Sequence, residues 1–436
     1  MAEQTPPARL QVALDFVDMH RAEAAARAAV AGGATILEAG TPLIKSEGLD
    51  AVRRLRELFP EATVVADMKT MDAGRIETEC ASKAGADVIV VLANASDVTV
   101  RECVEAGRSY GIRVAADLIE TPDPVGRARR LEELGVTQIG LHTGIDRQMT
   151  GAQTDPFALL REVRRAVTIP IAVAGGINSE TVVGAIEAGA DIVVVGGAIT
   201  KAADPRKATQ DMLAAIRTGK PVATELYKRV GLENVRDILA KVSTPNLSDG
   251  NHHLPSITGL TPLWPGSKMF GPAVTVRTYP GDWAKPVQAI DHAQPGSVIV
   301  IDAGGRGPAV WGELATHSAV QKKLAGVVID GAIRDTPEIR ELRFPAFARL
   351  VMSQSGEPKG LGEMDVTLNV SGIAVEPGDW VVGDDDGLIV LPRARVVEMA
   401  NRGMDCLERE MRIRGEITEG KTTLGKVADL LRWEKK

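Results

Sequence analysis

Between Leu10 and about Arg217, short apolar runs alternate eight times with amphipathic helical stretches, and this rhythm limits the fold of the 436-residue chain more than any other feature. The apolar runs lie at 10–14, 35–37, 63–66, 88–92, 113–116, 138–141, 171–174 and 192–195. Each is too short for a helix and rich in Val, Ile and Ala, as buried parallel strands are. The stretches between them, such as 21–31, 49–58 and 122–134, carry Ala, Glu and Arg at helical spacing. Gly32, Gly85, Gly135 and Gly189 stand where helices would stop. Eight such units come close to the lower size limit of a (β/α)8 TIM barrel. A doubly wound open sheet is the alternative. It would not usually present polar residues at nearly every strand end, and the glycine-rich first turn of a dinucleotide fold is absent.

In a barrel, chemistry sits at the C-terminal strand ends. Those ends are Asp15, Glu38, Asp67 with Lys69, Asp117, His142, Gly175-Gly176 and Gly196-Gly197. On a regular extended strand Asp67 and Lys69 point to the same side, with Asp72 three residues further on. Two acids and an amine suit a developing oxyanion, with a divalent cation as helper. Unpaired charges converging on one rim are costly without a function. Asp15 and Asp117 also have a structural reading, holding Lys69 or capping the next helix. The two glycine pairs follow strands seven and eight, where barrels of this kind hold a phosphate on backbone N–H groups.

Composition narrows the partners. The chain has 51 basic and 58 acidic residues, a net charge of -7, and no basic block, which argues against nucleic acid. No apolar stretch approaches the roughly 18 residues of a membrane span. Residues 1–8 lack the pattern of a signal peptide. Cys80, Cys103 and Cys406 are scattered and fit no metal spacing, so reduced thiols and a cytoplasmic location are expected.

Thr218-Gly-Lys-Pro221 is a turn signal, which places a domain boundary near Lys220 and divides the chain into 1–219 and 220–436. A helix is expected over 224–240, then a loop over 244–266 rich in Pro, Ser, Asn and Gly. His252 and His253 inside it would face opposite sides of an extended chain and so would not share a metal. Further strands are expected at 273–278, 297–301, 326–329, 373–375, 380–382 and 388–391, and helices at 287–293, 313–324, 337–342 and 395–412. Asp384-Asp-Asp-Gly387 lacks the acidic twelfth position of a calcium loop and reads as a hairpin turn. The charged tail after Gly415 reads as helical or mobile. The block that carries chemistry is Asp302-Ala-Gly-Gly305, Trp311-Gly-Glu-Leu-Ala315 and Asp330-Gly-Ala-Ile-Arg334-Asp335. Gly312, Glu313, Leu314 and Ala315 open a helix whose free N–H groups would cradle a carboxylate. Arg334 offers a planar fork to the same anion, and Asp335 is a candidate metal anchor. The plainer reading is an Arg–Asp pair at a strand–helix turn.

Over about residues 8–217 the chain resembles the 3-hexulose-6-phosphate synthases, in the suprafamily of orotidine monophosphate decarboxylase and 3-keto-gulonate-6-phosphate decarboxylase. The motifs are Ala13-Leu-Asp15, Glu38-Ala-Gly-Thr-Pro-Leu-Ile44, Ala66-Asp-Met-Lys-Thr-Met-Asp-Ala-Gly74, His142-Thr-Gly-Ile-Asp-Arg-Gln148, Ala174-Gly-Gly-Ile177 and Val195-Gly-Gly-Ala-Ile-Thr200. Gly197 looks like the synthase, because the decarboxylases more often carry arginine there. The resemblance implies reversible condensation of ribulose 5-phosphate with formaldehyde. It also implies Mg²⁺ (or Mn²⁺) on Glu38 and Asp67, Lys69 on an enediolate, and His142 and Asp15 in the catalytic set. Asp72 would reach into a partner's site, making the barrel a dimer. A gulonate-phosphate decarboxylase is the alternative.

Over about residues 226–395 the chain is similar to the 4-hydroxy-4-methyl-2-oxoglutarate aldolases and the ribonuclease-activity regulator A proteins. The mark is an acidic residue, twenty residues, then Arg-Asp, met by Glu313 and Arg334-Asp335. This likeness implies a β/β/α sandwich that assembles as trimers or hexamers. It further implies metal-assisted cleavage or decarboxylation of a 2-oxo acid, unless the module is catalytically silent and regulatory.

Overall fold

The structure, a computed structural model, describes residues 8–151, 155, 157–224 and 230–427. These fall into two compact units, 8–148 with 155 and 157–224, and 149–151 with 230–427. The N-terminal stretch 1–7 and part of the expected helix 224–240, at 225–229, lie outside the described residues. Beyond that gap the segment forms a 3-10 turn, Leu232–Asn234, and a short helix, Val235–Leu239.

In the first unit eight strands close into a barrel in chain order. They are β1 (Arg9–Leu14), β2 (Ile36–Ala39), β3 (Thr63–Thr70), β4 (Val88–Leu92), β5 (Arg113–Asp117), β6 (Gln138–His142), β7 (Ile171–Ala174) and β8 (Ile192–Val195). Every pairing is parallel, including β8 with β1, so the open sheet is excluded. Alternation along the strands sets the site. Ile36, Val65, Val88 and Ala115 meet in one buried cluster. Two residues further along β2, β3 and β5 come Glu38, Asp67 and Asp117, which therefore turn to the same side, one layer higher. The other face of each strand packs against Ala-rich helices such as Met19–Ala31, whose inner positions are Ala22, Ala25, Ala26 and Ala29. Asp18, Ser96, Asp123 and Asp204 cap helix N-termini by accepting a backbone N–H. Gly85, Gly135 and Gly189 adopt positive φ at the helix stops, whereas at the first stop Gly33, not Gly32, takes that conformation.

The second unit is built on a mixed sheet with the order β18-β17-β10-β11-β12-β13-β9, using β9 (Thr261–Pro262), β10 (Met269–Arg277), β11 (Val298–Asp302), β12 (Gly326–Ile333), β13 (Ala346–Val351), β17 (Trp380–Asp384) and β18 (Gly387–Leu391). The short β14 (Glu363–Met364) pairs with β10, and β15 (Leu368–Val370) with β16 (Ile373–Val375) forms a separate ribbon. β10 to β13 are parallel. Alternate residues divide between two cores. Ile299, Ile301, Val327 and Ile329 join Ala289, Ile290, Ala319 and Ile339 of the helices. Val298, Val300, Val328 and Phe347 join Leu368, Val375, Val381 and Leu388 of the hairpin strands. The expected β/β/α layering is this division.

Several local readings change. Thr244–Gly250 is a helix, not loop, started by Ser243 and Asn246 in a reciprocal capping box with proline at its first turn. His252 and His253 both have φ of +61°, so they are not extended. The 384–387 hairpin turn forms, with Asp384 paired to Gly387. Its first aspartate also accepts from Thr244 N–H at 2.7 Å and Thr244 Oγ1 at 2.6 Å. The long helix after β18 runs from Val396 through Gly415 to Glu419, and a short helix, Leu424–Val427, follows it. Strands β9, β13, β14 and β15 have no counterpart among the sequence expectations. No helix among the described residues is long and apolar enough to cross a membrane.

One buried acid organises the segment after β13. Asp282, 3% exposed, accepts N–H groups from Leu361 at 2.8 Å, Ala284 and Lys359 at 3.1 Å and Gly360 at 3.3 Å. Burial alone would raise its pKa, but the four N–H groups carry it below the usual carboxylate range. Asp282→Ala is therefore expected to lower stability at pH 7 by about 1–3 kcal/mol, read from urea unfolding. The folded-state pKa is depressed, so the contribution is present above the unfolded value of about 3.9 and lost as pH falls through the folded value. The gap between wild type and variant should narrow over that acid range.

Candidate active site

Glu38, Asp67, Lys69, Asp117 and His142 are brought together at the C-terminal mouth of the barrel. Asp67 and Asp117 are buried, and Lys69 lies between them. Its Nζ is 3.1 and 3.0 Å from the two Asp67 oxygens and 2.6 Å from Asp117 Oδ2. The regular strand alternation expected for Asp67 and Lys69 is not how they meet. Pairing of β3 with β4 slips between Ala66 and Thr70, and Lys69 has φ of +46°. A left-handed lysine costs energy that the flanking ion pairs offset, a kind of strain concentrated at functional sites. Burial by itself would lower the Lys69 pKa. The two carboxylates overcome this and raise it above the ordinary lysine value, so the ammonium stays charged.

Asp117 ties the cluster together. Its Oδ2 meets both Lys69 and, at 3.3 Å, His142 Nδ1, while Oδ1 accepts Ile119 N–H at 2.9 Å. Burial pushes its pKa up, but the His142 hydrogen bond and the Lys69 charge bring it below the usual range. An ionised carboxylate only accepts, so Nδ1 carries a proton and Nε2 of a neutral imidazole is left as a base. Asp117 thus both holds Lys69 and orients His142.

Glu38 sits diagonally across from Asp67 on the neighbouring strand, since it is Val65 that pairs with Glu38. Gln11 donates to Glu38 Oε2. Burial, then the charges of Asp67 and Asp15, hold the Glu38 carboxyl well above its ordinary pKa. Asp15 is open to solvent on one side, yet the surrounding wall, with Asp67 beside it, raises its pKa too. A Cβ on Gly40 would collide with the Asp15 carboxylate, so that glycine makes room for the acid. Thr41 Oγ1 donates to Asp67 Oδ2 at 2.7 Å. Four carboxyl groups, of Asp15, Glu38, Asp67 and Asp117, around one ammonium leave an excess of hard oxygen donors, a donor set that fits Mg²⁺ or Mn²⁺.

Asp72 is exposed on the loop after β3 and joins no hydrogen bond or ion pair among the described residues, so this chain does not bring it to the cluster. Near it in the chain Met71 and Ile76 are exposed apolar side chains. Gly175 and Gly176 have φ of +113° and +67°, and Gly196 opens the short Gly197–Thr200 helix. Gln11, Thr41 and the double role of Asp117 were not singled out from sequence. For Gln11 a signal existed, a polar residue on the inner face of a buried strand.

In the second unit Gly312 caps the Glu313–Gln321 helix, and Asp335 caps the next, with φ of +55°. The helix N-terminus is not wholly free, as sequence suggested. Glu313 N–H donates to Asp335 Oδ2 at 3.1 Å, and Arg334 Nε lies 3.5 Å from the same oxygen. The Arg–Asp pair at a strand–helix turn is present. Leu314 and Ala315 N–H have no backbone acceptor among the described residues. Glu313 Oε1 is 3.5 Å from His317 Nε2. Elsewhere Asp249, Cys406 and Glu410 bring ligand atoms within 4.8 Å of one another. There Arg409 already donates to Cys406 Sγ at 3.6 Å and Asn246 to Glu410 at 2.8 Å, a poor setting for a cation.

Known proteins match each half separately. Residues 8–212 match the model of the orotidine 5'-phosphate decarboxylase / HUMPS family, and residues 244–390 that of the RraA-like family, Aldolase/RraA. A 3-hexulose-6-phosphate synthase of Mycobacterium gastri is 40% identical over 209 residues, 48% of this chain and 99% of that protein. The Bacillus subtilis synthase is 38% identical over 211 residues, 48% of this chain and 99% of its own length. A solved RNA-processing inhibitor RraA from Thermus thermophilis is 31% identical, covering 35% of this chain and 93% of that one, with a TM-score of 0.33. The barrel half of this chain therefore belongs to the 3-hexulose-6-phosphate synthases of the orotidine 5'-phosphate decarboxylase / HUMPS family, fused to an Aldolase/RraA domain.

Proposed function

We propose that the barrel condenses formaldehyde with D-ribulose 5-phosphate to 3-hexulose 6-phosphate, reversibly. The observation that carries this reading is the Asp67–Lys69–Asp117–His142 chain at the barrel mouth, in a half that matches synthases over nearly their whole length. His142 Nε2 takes a proton from carbon 1 of the ketose, and the electron pair moves onto the carbonyl oxygen. The Lys69 ammonium faces that developing charge, an interaction strengthened only along the reaction path. Carbon 1 then attacks formaldehyde, and the new alkoxide takes a proton. Glu38 and Asp67 would hold Mg²⁺, which supplies further polarisation of the substrate oxygens. Gly175, Gly176, Gly196 and Gly197 offer backbone N–H groups to the phosphate, since no side chain blocks its approach there. Asp72, with no hydrogen bond or ion pair among the described residues and beside exposed Met71 and Ile76, fits a homodimer in which it completes a second copy's site.

Metal removal tests this reading. Protein stripped with a chelator should lose condensation in a coupled assay and regain it with Mg²⁺. Full turnover in excess chelator would overturn the metal's part. Carbon dioxide release from 3-keto-L-gulonate 6-phosphate with no condensation would favour the decarboxylase.

A second reading concerns the RraA-like half. Arg334, the Leu314 and Ala315 N–H groups and a half-exposed Asp335 support a lyase acting on a 2-oxo acid through an enolate, with Asp335 anchoring the cation. Oxaloacetate decarboxylation by the full chain, lost in Asp335→Ala, is expected. An inert wild type would leave a regulatory module instead.

A further inference from the structure

We propose that Lys201 binds the substrate's phosphate and makes the barrel select a phosphorylated ketose over an unphosphorylated one. The inference rests on the reading that Gly175, Gly176, Gly196 and Gly197 hold that phosphate, and it names the side chain that supplies the charge.

Strand pairing brings the two glycine pairs side by side. β7 and β8 are parallel neighbours with Ala174 opposite Val194, so both pairs leave the barrel mouth together. Their N–H groups can donate to a phosphate, but they carry no net charge. The Gly197–Thr200 helix is a single turn, too short to sum its peptide dipoles into a useful field. The neighbouring side chains do not help. A Cβ on Gly196 would lie 3.3 Å from Asp15 Oδ2, so a carboxyl group borders the cradle on the β1 side. A Cβ on Gly176 would lie 3.3 Å from Gln148 Oε1, a neutral acceptor whose Nε2 donates to Thr143 O at 2.7 Å. A phosphate dianion bounded by these two groups needs a cation, and Lys69 is held between Asp67 and Asp117.

Lys201 is placed to be that cation. It follows Gly197 by four residues, has helical backbone angles, and donates its N–H to Gly197 O at 3.0 Å. Side chains on such backbone lean towards the N-terminus, and positions four apart share a face. The Lys201 stem therefore runs back along Gly197. A Cβ on that glycine would lie 3.5 Å from Lys201 Cδ and 3.6 Å from Cε. The ammonium, one bond beyond Cε, ends beside the same glycine. Lys201 is half-buried and has an interaction of its own, yet an ammonium carries three donors and can serve an anion as well. A point charge on a flexible stem suits a phosphate, which offers oxygens in several directions. The phosphate keeps its charge through the reaction. A contact equally strong in the ground and transition states acts on KM rather than on kcat.

The test uses the full-length protein with Mg²⁺. Lys201→Ala should raise KM for ribulose 5-phosphate by roughly 10- to 100-fold while kcat changes by less than about threefold, and Lys201→Arg should recover most of the loss. The ratio of kcat/KM for ribulose 5-phosphate over ribulose should fall by the same factor. A second readout needs no turnover. At matched ionic strength, inorganic phosphate should raise the melting temperature of the wild type at concentrations at least about tenfold lower than those needed for Lys201→Ala. An equal loss on both ketoses, or a KM and a phosphate protection that the substitution does not move, would overturn the inference. If the wild type condenses neither ketose, the synthase reading fails, and the phosphate protection alone decides whether Lys201 is an anion ligand.

Discussion

Lys69→Ala is expected to lower kcat/KM for condensation by on the order of 10³-fold, equivalent to about 4 kcal/mol of lost transition-state stabilisation. The reasoning is local. Lys69 is a cation held in place by two buried carboxylates, and it takes a left-handed backbone conformation to get there. Its removal strips charge from the developing oxyanion and leaves Asp67 and Asp117 facing each other unpaired. The same variant should therefore unfold more easily, since an unpaired buried carboxylate is costly. Steady-state assays on folded variant, beside urea unfolding, separate the two effects. Activity within about tenfold of wild type would remove Lys69 from the chemistry, whatever happened to stability.

Asp117→Asn should act differently. The amide oxygen can still accept from Ile119 N–H, so the turn after β5 is kept. What is lost is the negative charge shared by Lys69 and His142. Hydrogen bonds to charged groups contribute about 1.5–3 kcal/mol, so kcat should fall by roughly 10- to 150-fold. KM should change little, because Asp117 acts through Lys69 and His142 rather than on the substrate. A rise in KM with kcat unchanged would make Asp117 a ground-state binding residue instead.

How much of this was legible beforehand depends on what each feature rests on. The barrel was legible because its strands are built on apolar runs of three to five residues separated by regular helical stretches, and period alone identifies both. The polar rim was legible for the same reason, since its residues stand where the apolar runs break. The route by which Lys69 reaches Asp67 was not, because a slip in strand pairing and a positive φ leave no mark in composition. Asp117 holding Lys69 was among the readings, but the links through Gln11 and Thr41 and from Asp117 to His142 needed strand register, which places residues distant in sequence side by side. In the second half β13 was missed because Ala346, Phe347 and Ala348 are followed by Arg349, whose charge breaks the apolar run. In the fold that guanidinium is satisfied by Asp330 and Ser371. The Thr244–Gly250 helix was missed because Pro, Ser, Asn and Gly outweighed a real start signal, Ser243 with proline two residues on. At the Aldolase/RraA turn the sequence pointed to open N–H groups. The fold fills one of them with the carboxylate of Asp335, brought from the end of another strand.

Carbon–carbon bond formation at the barrel can be watched directly. Full-length protein with Mg²⁺, ribulose 5-phosphate and ¹³C-formaldehyde should convert the formaldehyde signal into a hydroxymethyl carbon of a hexulose phosphate, followed by ¹³C NMR. The signal should vanish in Glu38→Gln and Asp67→Asn. An unchanged formaldehyde signal in the wild-type protein, under conditions where a known synthase consumes it, would contradict the account.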